Sequence, residues 1–249
     1  RMSTSKVFDF LLSRGVQRIV ALQYAHKPGI ASELNRYMVE KCRWYGNRVL
    51  GLATVFPGEE GTREILEEAF AHGLAGVKLH AHVQCCDLHS DGMQRVYDCC
   101  QEHGKPLVIH AGREPKSTAY RCDPHEICSV DRVAHVVRNF PRLRLCVPHL
   151  GFDELAAYRA LIDKVDNLWL DTTMVLADYF PIEDDICLDH YRPERIMYGS
   201  DFPNIPYAWD RELKRLAKQS LSQGRLERLL YRNAVDFFNL SEAEDKPLR

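Results

Sequence analysis

The sequence predicts an α/β fold in which parallel strands alternate with helices. Apolar runs recur along the chain, an amphipathic stretch follows each run, and Gly or Pro often lies between the two. Runs rich in Val, Ile and Leu are typical of strands that are buried on both faces of a parallel sheet. Seven such runs are present, at residues 18–24, 49–56, 76–80, 106–111, 143–149, 168–172 and 195–199.

The length of 249 residues is that of one (β/α)8, or TIM, barrel. No linker, low-complexity tract or internal repeat marks a second domain, so we expect a single domain over residues 1–249. Eight strands close such a barrel, and the sequence supplies seven. A helix predicted at Ser5–Ser13 precedes the first run, and we expect the missing first strand to lie N-terminal to Arg1.

Three of the stretches between the runs carry clear helix boundaries. Residues 62–70 begin at Thr62, a candidate N-cap, and the pattern stops at Gly73. Residues 91–103 have apolar side chains at helical spacing and stop at Gly104. Residues 131–140 end before Pro141, since a helix rarely continues into proline.

Composition and charge indicate an ordinary globular protein whose partner is a small-molecule substrate. Apolar residues make up 45% of the chain and charged residues 27%, enough for a large core. A net charge of −2 gives no reason to expect nucleic acid or an anionic membrane as a partner. No apolar stretch is long enough to cross a bilayer. The sequence leaves the oligomeric state open, a homo-oligomer included.

Cysteine usage predicts a reduced, cytoplasmic protein. The nine cysteines are an odd number and are scattered through predicted helices and strands. This distribution favours free thiols over a disulfide framework. The N-terminal residues are polar and lack the apolar region of a signal peptide.

Three apolar runs end in a residue that can bind a metal or move a proton. His110 and His149 end two of them, and Asp201 follows the last. Because the C-terminal ends of barrel strands meet on one face, these side chains should converge on one pocket. Either histidine could instead be structural and bonded to a backbone carbonyl, and Asp201 could cap a short helix starting near Pro203. A buried carboxylate is costly without a partner, which favours the site.

A further group lies on the third run, where Lys78, His80 and His82 alternate and so share one strand face. The His-x-His spacing is typical of a metal pair, although it also arises by chance. Lys78 could contact a carboxylate substrate or, if carbamylated, bridge two metals. We expect Lys78 and His80 to bind substrate and His82 to fall in the following loop.

Other motifs in the sequence are weaker. Cys122-x-x-His125-x-x-Cys128 has the spacing of a zinc knuckle but no evident fourth ligand, and residues 123–126 match a helix start equally well. The chain has no Gly-rich phosphate loop and no Gly-x-Ser-x-Gly elbow, which excludes nucleotide-binding and serine-hydrolase interpretations.

Taken in order, these motifs resemble the amidohydrolase superfamily, and within it the amidohydrolase-related branch. That branch contains metal-dependent hydrolases and the aminocarboxymuconate-semialdehyde and resorcylate-type decarboxylases. Residues 232–234 resemble the closing helix of the same family. The motifs that carry the resemblance are residues 76–80, 108–112, 148–151, 170–173 and 198–203.

The resemblance implies a divalent metal centre, with Zn²⁺ as the expected ion. In the family, a His-x-His from the first strand, a His from the fifth and an Asp from the eighth hold the metal, with a sixth-strand His close by. By resemblance His110 is a metal ligand, Asp201 a metal ligand and the catalytic base, and His149 the catalytic histidine. This sequence departs from the pattern because no His-x-His precedes Ser5.

The expected activity is hydrolysis of a small amide, lactone or ester by metal-activated water. Asp201 would take the water proton and return it to the leaving group, while His149 would stabilise the oxyanion. Two alternatives stay open. The first is a metal-dependent decarboxylase of a small unsaturated or aromatic acid, in which Lys78 holds the carboxylate and Asp201 or His149 protonates the carbon. The second is a metal-free, non-catalytic barrel that serves as a binding protein.

Overall fold

The computed structural model describes residues 2–113, 121–179 and 186–240 and shows an α/β protein with parallel strands, as predicted. Each of the seven apolar runs contains one strand. The strands are β1 Ile19–Ala21, β2 Val49–Gly51, β3 Val77–His80, β4 Leu107–His110, β5 Leu145–Val147, β6 Leu168–Asp171 and β7 Ile196–Met197.

The strands pair in the order of the chain. One sheet contains β1 and β2, and the other contains β3 to β7, with every pair parallel. A parallel bridge between Ala53 and Val77 connects the two sheets, so that β2 leads into β3. Parallel neighbours that follow one another in sequence need a crossover between them, and the helices supply most of these crossovers.

The helices lie close to their predicted positions, with small differences at their starts. The helix predicted at Ser5–Ser13 begins one residue earlier, and those at 91 and 131 begin within one residue of prediction. Thr62 is not an N-cap: Gly61 takes that place, and the Thr62 hydroxyl donates to the Glu59 carbonyl at 2.7 Å. The helices are α1 Thr4–Ser13, α2 Ala31–Arg43, α3 Thr62–Ala71, α4 Ala81–Gln84, α5 Asp91–Glu102, α6 Pro124–Ile127, α7 Val130–Asn139, α8 Leu155–Ile162, α9 Arg211–Leu216, α10 Gln223–Glu227 and α11 Asn233–Phe238.

The strand register separates two apolar layers. Side chains of one strand face pack against the helices and form the larger core. The opposite face carries a second buried cluster, closed by Phe237 and Phe238 from α11. In this second cluster Val108, Cys146 and Trp169 are register partners on β4, β5 and β6, and the other members are Leu52 and Met197.

The same register places polar residues directly beyond the second cluster. Lys78 is paired with Val108, and His80 with His110. Since side chains two residues apart point to the same strand face, His80, His110 and Asp171 follow Lys78, Val108 and Trp169 on that face. The C-terminal ends of the strands therefore carry a polar layer on top of an apolar one.

All nine cysteines are free thiols in the structure, and five of them are buried. Within the described ranges, no helix has both the length and the apolar character required to span a membrane.

Phe237→Ala tests the importance of the second cluster. Phe237 is fully buried and contacts the rings of Trp169 and Phe238 at centroid distances of 5.3 and 4.9 Å. Its truncation should lower the free energy of unfolding by about 3–5 kcal/mol, as for other buried aromatic residues. Urea unfolding followed by circular dichroism measures the change. Trp44→Ala is the control, since Trp44 is 81% exposed, and equal losses in both variants would contradict the assignment.

Candidate active site

Three histidine rings meet at the C-terminal ends of β3, β4 and β5. The His80 ring stacks on the His110 ring, with centroids 4.0 Å apart and planes 8° from parallel. The His110 ring in turn lies 4.7 Å from the ring of His149, which directly follows β5 and Pro148. The structure therefore brings together three residues that the sequence placed at separate strand ends.

The segment that carries His149 has an unusual backbone. His149, Leu150, Gly151 and Phe152 all have positive φ, between 51° and 87°. This region disfavours residues with a Cβ, and such strain is tolerated where surrounding contacts determine the conformation. One such contact is the His149 backbone N–H, which donates to Asp171 Oδ1 at 3.2 Å. Asp171 also accepts from the Thr173 N–H at 3.0 Å.

The ring of His149 lies in a hydrogen-bond chain that determines the proton positions. Its Nδ1 is 2.9 Å from the Thr173 carbonyl oxygen, and its Nε2 is 3.2 Å from His110 Nδ1. A carbonyl only accepts, so Nδ1 of His149 carries the proton. In the neutral ring Nε2 then accepts, and His110 Nδ1 donates to it. The neutral His110 consequently has its lone pair on Nε2, and a lone pair is what a metal ligand requires.

Burial keeps His149 in the neutral form that this chain needs. The His149 side chain is almost completely enclosed, and desolvation lowers its pKa. The nearby charge of Asp171 and the hydrogen bond to Thr173 act in the opposite direction. The net direction is downward, so the ring stays neutral around pH 7.

A buried cation and two carboxylates accompany the histidines. Lys78 is 6% exposed, and desolvation lowers its pKa against the attraction of Asp171 and Asp201. Asp201 reaches solvent, but protein surrounds it on its other sides. This desolvation raises the Asp201 pKa, although the positive charge of Lys78 opposes the shift. A carboxyl with a raised pKa holds a proton more readily, which favours a role in both accepting and donating protons.

Asp201 does not begin a helix. Its φ is +52°, and its backbone carbonyl accepts from the Asn204 N–H at 2.8 Å in a tight turn. The next described helix, α9, begins only at Arg211. The alternative in which Asp201 caps a helix near Pro203 is therefore wrong.

Gly199 makes room for the carboxylate of Asp171. A Cβ at position 199 would lie 2.0 Å from Thr173 Oγ1 and 3.2 Å from Asp171 Oδ1. Only glycine permits this close approach of β7 to the end of β6. The Gly-Ser-Asp sequence thus positions the Asp201 turn against the residues that hold His149.

His82 does not lie in a loop, as the sequence had indicated. It is fully buried within α4, because that short helix starts directly after β3. Its Nε2 lies 3.2 Å from the Gly112 carbonyl oxygen and 3.0 Å from Cys128 Sγ. One nitrogen from each of His80, His82 and His110 lies within 4.8 Å of the others, a group that could hold a metal ion.

The segment with zinc-knuckle spacing adopts the other predicted structure. Asp123 caps α6 by accepting from the His125 N–H at 3.0 Å. Cys128 follows that helix and contacts His82.

Sequence reasoning did not assign two carboxylates that the structure places near the site. Asp171 ends β6 as His110 ends β4, so the pattern of an apolar run with a polar end could have identified it. Glu212 had no such signal, because a glutamate in an amphipathic helix is usually exposed. Instead, Glu212 is 1% exposed, and its Oε1 accepts from the Leu176 N–H at 3.2 Å.

Glu212 supports the turn that holds His149. Leu176 belongs to the turn after β6 in which Thr173 supplies the carbonyl acceptor for His149. Burial raises the pKa of Glu212 to about 7, against a lowering effect from the Leu176 and Met174 N–H groups. The position of His149 therefore depends on a buried carboxyl whose own ionisation falls near neutral pH.

Glu212→Gln should change how stability depends on pH. A folded-state pKa near 7 exceeds the unfolded value, so the folded protein binds the extra proton and loses stability as pH rises from about 4.5 to 7. The variant lacks this loss. The difference in the free energy of unfolding between variant and wild type should therefore shift by on the order of 2 kcal/mol in favour of the variant from pH 5 to pH 8. Urea unfolding at both pH values measures the difference, with exposed Glu64→Gln as the control. A pH-independent difference would contradict the role of burial.

Comparison with known proteins agrees with this geometry. The model of the amidohydrolase family matches residues 9–240. No curated protein matches the chain.

Solved structures show the same fold at low sequence identity. The 2,6-dihydroxybenzoate decarboxylase from Rhizobium is 14% identical, with a TM-score of 0.72 over 96% of this chain and 89% of that chain. The 5-carboxyvanillate decarboxylase from Novosphingobium aromaticivorans, complexed with manganese and 4-hydroxy-3-methoxy-5-nitrobenzoic acid, is 19% identical, with a TM-score of 0.69 over 93% of this chain and 79% of that chain. An uncharacterised TIM-barrel protein from Bordetella bronchiseptica is 17% identical, with a TM-score of 0.69 over 95% and 83% of the two chains.

Proposed function

The chain belongs to the amidohydrolase family, and from this membership and its strand-end geometry we propose that it is a metal-dependent hydrolase of a small amide, lactone or ester. The observation that carries the proposal is the hydrogen-bond chain from Thr173 through His149 to His110. Beside this chain, Asp201 has its pKa raised by desolvation. A fixed imidazole and a carboxyl with a raised pKa are parts that a hydrolytic site requires.

The residues present fit a divalent metal ion. His80, His82 and His110 supply three imidazole nitrogens, and the hydrogen-bond chain leaves the His110 lone pair on Nε2. His80 Nδ1 also accepts from the Val83 N–H at 3.4 Å, a long bond that a metal could replace. We propose His110 and Asp201 as ligands, with His80 and His82 as further donors. Zn²⁺ is the proposed ion, and Mn²⁺ is the alternative because the Novosphingobium decarboxylase binds manganese.

A bound divalent ion would lower the pKa of water and polarise a carbonyl group. Asp201 accepts the proton of the attacking water and passes it to the leaving group. Lys78 supplies positive charge to the same strand ends. Both ring nitrogens of His149 are occupied, so its first role is to orient His110. His149 can donate from Nε2 to an oxyanion only when its bond to His110 opens and Nε2 takes up a proton.

Decarboxylation of a small unsaturated or aromatic acid is the second candidate. A specific observation favours it: Lys78 is a buried cation, and its attraction to Asp171 and Asp201 places it near both carboxylates. A buried ammonium can bind a substrate carboxylate, and Asp201 can then protonate the carbon. Two of the similar structures are decarboxylases of aromatic acids.

Metal removal tests the dependence on an ion. Dialysis against a chelator should abolish turnover, because the site then lacks the ion that activates water. Adding back Zn²⁺ or Mn²⁺ should restore turnover. Metal analysis by mass spectrometry checks the stoichiometry before and after. A verifiably metal-free protein with full activity would refute the proposal, and one that binds a ligand without turnover would favour the non-catalytic alternative.

Substitution of Asp201 tests whether this residue acts as the catalytic base and not as a structural residue. Asp201→Asn should lower kcat by about 10²–10⁴-fold with circular dichroism unchanged, since proton transfer by a positioned group contributes that much. His149→Ala should reduce turnover while most of the metal is retained. Exposed Asp163→Asn is the matched control. Panels of lactones, amides and aromatic acids distinguish the two reactions. Acid release reports hydrolysis of a lactone, and CO₂ release reports decarboxylation.

A further inference from the structure

A second group of metal-binding side chains lies between α3 and α5, away from the histidine cluster. Cys99 lies in α5, His103 follows its last residue, and Glu67 comes from the facing side of α3. One ligand atom from each lies within 4.8 Å of the others. The His103 Nε2 and Glu67 Oε1 atoms are already 3.2 Å apart.

The spacing of these residues is suited to chelation. Cys99 and His103 are four residues apart, so their side chains lie on the same side of the helix, one turn apart. Thiolate sulfur, imidazole nitrogen and carboxylate oxygen are all ligands of zinc, at about 2.0–2.3 Å. Ligand atoms around one such ion are roughly 3.3–3.8 Å apart, so small rotamer changes bring the three donors to bonding distance.

We propose that Glu67, Cys99 and His103 form a site for a thiophilic divalent ion such as Zn²⁺, which would join α3 to α5. The last turn of α5 leads into β4 at Leu107. The group therefore lies towards the N-terminal ends of the strands, opposite His80 and His110. The proposal is independent of the proposed function.

The surroundings allow an ion to enter. The Cys99 side chain is fully buried, whereas those of Glu67 and His103 are each 39% exposed and lie between the thiol and solvent. Arg63 contacts Glu67 at 3.0 Å and Glu102 at 2.7 Å. The shorter contact with Glu102 can hold the guanidinium while Glu67 turns towards an ion.

Proton release accompanies binding at this site. Burial raises the pKa of Cys99 to about 11, with Arg63 opposing the shift, so the thiol is protonated at neutral pH. An ion must displace that proton, and the affinity should rise with pH.

Titration with Cd²⁺ tests the proposal, because a thiolate–cadmium bond has an ultraviolet charge-transfer band. The wild-type protein should show a saturable band, and Cys99→Ser should lose one equivalent of it. Cys100→Ser is the matched control: Cys100 is the adjacent buried thiol on the same helix and is absent from the donor group. His103→Gln and Glu67→Gln should each weaken binding by about tenfold or more, since one of three ligands is lost.

A surface histidine provides the second control. His72→Gln, at the exposed end of α3, should leave the titration unchanged. An undiminished band in Cys99→Ser, or unchanged midpoints in both His103→Gln and Glu67→Gln, would overturn the proposal. If Cys99→Ser does not fold, the titrations of His103→Gln and Glu67→Gln test the proposal, since both side chains are partly exposed. Zn²⁺ should also raise the Tm of wild type by more than that of His103→Gln, because only the active-site contribution remains in the variant.

Discussion

The hydrogen bond between the Thr173 carbonyl and His149 Nδ1 is the interaction on which the rest of the site depends. It determines which nitrogen of His149 carries the proton, and His149 then determines the tautomer of His110 through their 3.2 Å contact. The opposite tautomer would place a proton on His110 Nε2, the nitrogen proposed to bind the metal. A single backbone carbonyl thus makes the end of β4 suitable for a metal ligand.

Two carboxyl groups, those of the partly buried Asp171 and the fully buried Glu212, keep that carbonyl in place. Asp171 binds the backbone N–H groups of His149 and Thr173, which joins the ends of β5 and β6. Glu212 binds the Leu176 N–H three residues further along the same turn. Burying such groups is costly unless hydrogen bonds compensate. Both carboxyl groups accept hydrogen bonds from backbone N–H groups. These bonds offset the cost of burial and hold the turn in place.

The charges at the strand ends balance one another in a similar way. Lys78 lies within the sheet, where desolvation favours its neutral form and the carboxylates favour its charged form. For Asp201, desolvation likewise favours the neutral form, and the positive charge of Lys78 favours the ionised form.

The sequence by itself determined the seven strands, their parallel order and the placement of His110, His149 and Asp201 at strand ends, because burial on both faces imposes a recognisable apolar pattern. The period of two also placed Lys78 and His80 on one face. Only the tertiary structure decided the positions of His82 and Glu212 and the hydrogen-bond partners of Asp171. Their roles depend on contacts between segments far apart in the chain, such as β5 with β6 or α9 with the turn after β6. The tautomers of His149 and His110 depend on the same long-range contacts, which no local pattern encodes.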